Sequence, residues 1–133
     1  MPFTVVVIDD DPDMRALFSV LIDGDPSLAL VGEAETGETG TDLAADKQPD
    51  LVVLDLTMPG SGGLASLPAI RRAAPGASVV MVTGVQDEGV RSAALHSGAS
   101  AFLHKGPELS RSLLPTLHKI VDLRDKPVQR PGS

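Results

Sequence analysis

Leu51-Val52-Val53-Leu54-Asp55-Leu56-Thr57-Met58-Pro59-Gly60 is the stretch that decides the fold. The first four residues are an apolar run long enough for a fully buried parallel strand and too short for a helix. The run stops at a carboxylate, and Pro59 with Gly60 turns the chain at once instead of opening a helix. In open α/β sheets the functional groups collect where strands end at their carboxyl side, so Asp55 is the first candidate for chemistry.

Working outward, the same grammar repeats. Phe3 to Ile8 is apolar and β-branched and stops at Asp9, Asp10 and Asp11. Pro12 suits a helix first turn, with Asp11 or Asp13 as cap, and Met14, Ala16, Leu17, Val20 and Leu21 carry the helical pattern to Gly24. Leu28 to Ala34 is a second strand, and a weak helix follows from Gly37 to Asp46, its propensity lowered by Gly40 and the threonines. After the Asp55 strand, a third helical pattern runs from Gly63 or Leu64 to Ala74, with Leu64, Leu67 and Ile70 on one side. Pro68 implies that it either begins near Ser66 or kinks at its start, because proline belongs in a first turn. Val79 to Val82 is a fourth strand running into Thr83 and Gly84. A fourth helix over 87–97 turns Val90, Ala93, Ala94 and Leu95 inward and stops at Gly98. Ala101 to Leu103 is a short fifth strand ending at His104 and Lys105. A fifth helix, capped by Ser110 or Ser112 with Pro115 in its first turn, buries Leu113, Leu114, Leu117, Ile120 and Val121. Residues 125–133 read as a frayed tail or linker stump.

Alternation of five strands and five helices predicts an α/β domain over residues 3–124, a doubly wound parallel sheet joined by right-handed crossovers. Four strands then deliver Asp9, Asp10, Asp55, Thr83 and Lys105 to one edge. Chance placement would scatter such groups, so their convergence is the strongest functional signal. The acids are an all-oxygen donor set suited to Mg²⁺, with the Thr57 backbone carbonyl as a further ligand. Phosphoryl transfer needs such a cation, a nucleophile and donors for the phosphoryl oxygens. Asp55 fits the nucleophile, and Thr83 and Lys105 fit the donors. Taken singly, each residue has a blander reading: a strand-end Asp is often a turn or cap, Thr83 an ordinary hydroxyl, Lys105 a surface lysine, and Phe102 core.

Composition excludes other classes. The 133 residues suit one domain, and the absence of cysteine rules out disulfides and thiolate metal sites. A net charge of −7 with scattered basic residues argues against nucleic acid, and three Phe with no Tyr or Trp leave no base-stacking platform. With neither a secretory signal nor a membrane-length apolar run, a cytoplasmic location is expected. Asp9, Asp11 and Asp13 have calcium-loop spacing, but Met14 stands for the required glycine and Val20 for the closing glutamate. His96, His104 and His118 lack metal or triad spacing and are expected to face solvent.

The chain resembles the receiver domains of bacterial two-component response regulators. The resemblance rests on Asp9 and Asp10, on Asp55 with Met58, Pro59 and Gly60, on Thr83 with Gly84, and on Phe102, Leu103 and Lys105. It implies a flavodoxin-like fold of strand order 2-1-3-4-5 and a phosphoryl group passed from a phosphohistidine on a sensor histidine kinase or phosphotransfer protein to Asp55 with Mg²⁺. It further implies that Thr83 and Phe102 switch conformation, and that partners or a second copy read the face made by the fourth helix, fifth strand and fifth helix. Such a chain is a switch and not a turnover enzyme. Thr57 and Val85 stand where the family tunes loss of the phosphate, and an apolar Val85 implies slow loss. Residues Glu33, Ala34, Gly37, Pro49 and Asp50 resemble receivers attached to helix-turn-helix output domains, though no output domain or partner is identified here. Gly106 replaces the usual proline after the lysine, and Gly40 a usual alanine. The alternative is an aspartyl-phosphate phosphatase of the haloacid dehalogenase kind, which wants Thr or Val where Asp13 stands.

Overall fold

The computed structural model describes residues 2–58 and 62–124. Pro59, Gly60 and the expected tail over 125–133 lie outside the described residues. The elements are β1 (Phe3–Ile8), α1 (Pro12–Asp23), β2 (Leu28–Ala34), α2 (Gly37–Lys47), β3 (Leu51–Asp55), α3 (Gly62–Ala73), β4 (Ser78–Thr83), α4 (Glu88–His96), β5 (Ala101–His104) and α5 (Leu109–Arg124). The strands form one parallel sheet in the order β2-β1-β3-β4-β5. From β1 the chain runs to β2 on one side and later returns to β3 on the other, so the topological switch point lies between β1 and β3.

Both sheet faces are buried, which is why the strands read as continuous apolar runs. Val5, Val7, Leu51, Val53, Val80 and Val82 point to one side and pack with Phe18, Ile22, Leu113 and Leu117 of α1 and α5. Val6, Ile8, Val52, Leu54, Val79 and Met81 point to the other and pack with Ala44, Leu67, Ile70 and Ala94 of α2, α3 and α4. The period-two alternation of a strand thus feeds two separate cores.

Local signals fix the helix ends. Asp11 caps α1 by accepting the Asp13 N–H at 2.9 Å, and Thr36 and Thr39 form a capping box on α2. Gly40 is required by packing, because a Cβ there would stand 2.5 Å from Ile8 Cδ1.

Several expectations fail for identifiable reasons. The inward stripe of α1 is Met14, Phe18, Leu21 and Ile22, whereas Ala16 is exposed and Val20 is 70% exposed. Helix α3 starts at Gly62, one or two residues before the Gly63 or Leu64 of the helical pattern and not near Ser66, and Pro68 sits in its interior. Burying Leu67 and Ile70 on one face requires the helix to run through the proline, at the loss of the donor to the Leu64 carbonyl. Helix α5 likewise starts at Leu109, with Ser110 and Ser112 inside it and Pro115 in its interior. Leu109, Leu113 and Leu117 are all buried at spacing i, i+4, i+8, which sets the helix phase and leaves Pro115 on the exposed side. In α4 Ala94 is buried and Val90 partly so, while Ala93 and Leu95 face outward, because this nine-residue helix covers the edge strand with one side only.

Candidate functional site

Asp9 follows the last residue of β1, and Asp55 is the last residue of β3, the two strands that flank the switch point. They are 1% and 2% exposed. Backbone donors hold both carboxylates: Asp9 Oδ1 accepts the Asp11 N–H at 2.9 Å, and Asp55 Oδ1 accepts the Thr57 N–H at 3.1 Å and its hydroxyl at 3.2 Å. Arg15 donates to the Asp9 carbonyl at 2.7 Å, which pins the turn after β1 to the first helix. Asp10 is exposed at the rim, and its carboxylate comes within 4.8 Å of those of Asp9 and Asp55.

Lys105 enters from the end of β5, its backbone N–H bound to the Thr83 carbonyl at 2.7 Å. Its Nζ lies 3.0 Å from Asp9 Oδ2 and 3.3 Å from Asp55 Oδ2, so one cation bridges acids from two neighbouring strands. Burial raises the Asp9 pKa most, and the Asp55 charge adds to the rise; the Asp11 N–H and Lys105 offset this only in part. For Lys105 burial is the largest single effect and opposes the charge, but Asp9 and Asp55 together outweigh it and hold the ammonium above its usual range. Three carboxylates against one ammonium leave the pocket short of positive charge.

Asp9 Oδ2 is buried and, among the described residues, accepts no well-aligned hydrogen bond, its ion pair with Lys105 notwithstanding. A buried anionic oxygen whose one counter-charge is shared with Asp55, beside two more carboxylates, fits a small hard cation. Asp9, Asp10 and Asp55 are the residues that could hold one.

Thr83 ends β4 and is fully buried. Its Oγ1 accepts the Val85 N–H at 3.0 Å, and it makes no hydrogen bond to Asp55 among the described residues. Phe102 is half-buried on the α4 side of the sheet. Val85 is 47% exposed and Thr57 is exposed. Gly63 explains how tightly α3 abuts this edge: its N–H donates to the Leu56 carbonyl at 3.0 Å, and a Cβ there would lie 1.9 Å from the Asp55 carbonyl oxygen.

Asp9, Asp10 and Asp55 therefore converge at one rim, Lys105 reaches Asp9 and Asp55, and Thr83 ends the next strand with its hydroxyl bound to the Val85 N–H, whereas Phe102 lies within β5 on the α4 side. With Gly106 after it, Lys105 still reaches both acids. Two histidine contacts escape the sequence reading. His118 is partly buried against Asp25, 2.5 Å away, and is not simply solvent-facing. His104, though exposed, has Nε2 3.3 Å from the Gly84 carbonyl. Neither has a periodic signature, because partners 93 and 20 residues away belong to different elements.

A family profile described as the response regulator receiver domain matches residues 5–114. The nitrate/nitrite response regulator protein NarL of Escherichia coli K12 is 38% identical over 118 residues, which are 89% of this chain and 54% of that protein. A protein-glutamate methylesterase/protein-glutamine glutaminase of Maricaulis maris is 39% identical over 80% of this chain and 27% of its own length. The chain thus spans about half, or less, of these curated relatives. Among solved structures, a two-component response regulator of the LuxR family from Aurantimonas sp. SI85-9A1 superposes with TM-score 0.85 at 29% identity, over 92% of this chain and 86% of that one. The response regulator domain of Thermotoga maritima CheB gives 0.80 at 28% identity, over 92% and 96%. The dehalogenase-type phosphatase finds no support among these relatives. With an acidic pocket at the switch point, a lysine bridging it and a profile match over most of its length, the chain belongs to the response regulator receiver domains of two-component systems.

Proposed function

We propose that Asp55 is the phosphoacceptor. A carboxylate oxygen of Asp55 attacks the phosphorus of a phosphohistidine on a sensor histidine kinase or phosphotransfer protein. The P–O bond forms, the P–N bond breaks, and its electron pair stays with the imidazole nitrogen, which takes up a proton. Lys105 and the Thr83 hydroxyl serve as donors to the phosphoryl oxygens, and Asp9, Asp10, Asp55 and the Thr57 carbonyl would hold Mg²⁺. When bound, that cation supplies positive charge against the developing negative charge of the transferring group. The observation that carries the reading is the Lys105 ammonium set between Asp9 and Asp55.

Residues 3–124 act as one receiver unit in this reading, in a cytoplasmic setting; no helix among the described residues is long and apolar enough to cross a membrane. Thr83 and Phe102 relay the state of Asp55 to the α4–β5–α5 face, where an output partner, an output domain or a second copy docks. Val85, two residues beyond Thr83, is apolar and cannot orient a water for attack, so the phosphoryl group is lost slowly, and Val85→Glu shortens its lifetime. An unchanged lifetime removes that part of the proposal.

The test is incubation with Mg²⁺ and a small phosphodonor, followed by mass spectrometry. Wild type should gain one phosphoryl group and Asp55→Asn none; labelling that survives in the variant refutes the assignment. For the metal, Mg²⁺ at tenfold its Kd should stabilise the fold by about 1.4 kcal/mol over an EDTA control. The Asp10→Asn variant should show most of that gain lost.

A further inference from the structure

The peptide joining Gly84 to Val85 is held at both of its polar ends. Its N–H, on Val85, donates to Thr83 Oγ1 at 3.0 Å. Its carbonyl, on Gly84, lies 3.3 Å from His104 Nε2. A carbonyl only accepts, so Nε2 carries the proton, and the contact persists in either charge state of the ring. The hydroxyl of Thr83 is therefore turned into its own loop by a peptide that His104 anchors from the neighbouring strand. Thr83 and His104 are register partners in the β4–β5 pair, which puts the imidazole beside that loop.

The other side of the ring is fitted as closely. Gly106 lies against it, and a Cβ at position 106 would stand 3.0 Å from His104 Nδ1 and 3.4 Å from Cε1. Contacts of 3.0–3.4 Å are tighter than a Cβ ordinarily makes, so a side chain at 106 displaces the ring by a few tenths of an ångström and disturbs its present bond to the Gly84 carbonyl. Leu103, between the two same-face residues Phe102 and His104, packs into the opposite core and fixes the strand's orientation. The imidazole thus has backbone on both sides and a single hydrogen bond to give.

We propose that His104, seated by Gly106, is a positioning residue that holds the Thr83 hydroxyl on the Val85 N–H and so restrains phosphoryl uptake at Asp55. A hydroxyl can donate while it accepts, but moving the Thr83 oxygen toward a phosphoryl group on Asp55 either gives up the Val85 N–H or carries the 84–85 peptide along, against the bond from His104. The restraint rests on the reading of Asp55 as phosphoacceptor and Thr83 as the responding hydroxyl, and it adds the element that biases the resting position.

The first measurement needs no phosphate or metal. Amide exchange at Val85 in the resting protein should quicken about fivefold in His104→Ala, the worth of one ordinary hydrogen bond. The change His104→Gln, whose side-chain amide can donate to the same carbonyl, should restore it. Gly106→Ala should quicken exchange similarly, and the double change His104→Ala with Gly106→Ala should add nothing further, because both act through the same bond. The second measurement is the initial rate of labelling by a small phosphodonor, which should rise several-fold in His104→Ala and Gly106→Ala and return toward wild type in His104→Gln. Unchanged Val85 exchange, failure of His104→Gln to restore it, or additive effects of the two single changes would overturn the proposal. A wild type that takes no phosphoryl group at Asp55 would instead sink the phosphoacceptor assignment, and the exchange data would still decide whether His104 holds the loop.

Discussion

Asp25 shows what one well-placed carboxylate does away from the acidic rim. Ser27 donates to it from its hydroxyl at 2.7 Å and its N–H at 2.9 Å, and His118 reaches it from α5. The Ser27 hydroxyl, then His118, pull its pKa from 3.8 to about 2. A carboxylate whose folded pKa lies below its unfolded value contributes stability that is complete above the unfolded pKa and fades as pH falls toward the folded one. Asp25→Asn should therefore be less stable than wild type at neutral pH, with the gap closing between pH 3.8 and about 2; urea unfolding across that range measures it. A gap that stays constant with pH would show that the bonds matter only sterically. Asp9 has the opposite sign: its pKa is raised, so its charged form works against folding as pH climbs through the window above 3.8. At this scale the rim was readable in advance, because an apolar run that stops dead at Asp9, Asp55 or Thr83 marks a strand end by itself. The Asp25–His118 pair was not, since nothing local in the sequence ties a loop acid to a helix 93 residues on.

At the scale of elements, the strands read to within a residue or two, and the places of Pro68 and Pro115 within their helices did not. An interior proline removes a backbone donor and crowds the preceding turn, at about 3 kcal/mol in an unsupported helix. Sequence reasoning consequently pushed Pro68 and Pro115 toward first turns. Burial overrode it: the face formed by Leu109, Leu113 and Leu117 is worth roughly 1.5–3 kcal/mol per side chain, more in sum than one proline costs. Pro115→Ala should restore the donor to the Arg111 carbonyl on an exposed surface. The alanine also frees the unfolded chain, which takes back about 0.4–1 kcal/mol. The net expectation is a gain of about 2 kcal/mol in chemical denaturation, and a loss would mean that the proline's ring packs usefully.

For the molecule as a whole, the sheet divides the interior into two cores that touch only through its backbone. Leu67 lies in one and Leu117 in the other, each fully buried. Truncating either to alanine should cost about 2–5 kcal/mol, and the double variant should lose the sum to within about 0.5 kcal/mol because the sites share no partner. Domains of this size hold roughly 5–15 kcal/mol in total, so the double variant should sit close to unfolding at 25 °C. A clear excess over additivity would show that the sheet transmits strain between its faces. The two-core plan was legible because all-apolar strands interleaved with amphipathic helices have few other solutions; the phase of α1 was not, since Ala16 and Val20 fit a helical stripe as well on paper as Phe18 and Ile22 do in the packed protein. Gly63 draws the scales together. With the Asp55 carbonyl oxygen 1.9 Å from where its side chain would begin, the third helix and the acceptor strand meet as bare main chain. In a saturation library of this domain, the column for position 63 should come back empty but for its native residue, however gently the screen is set.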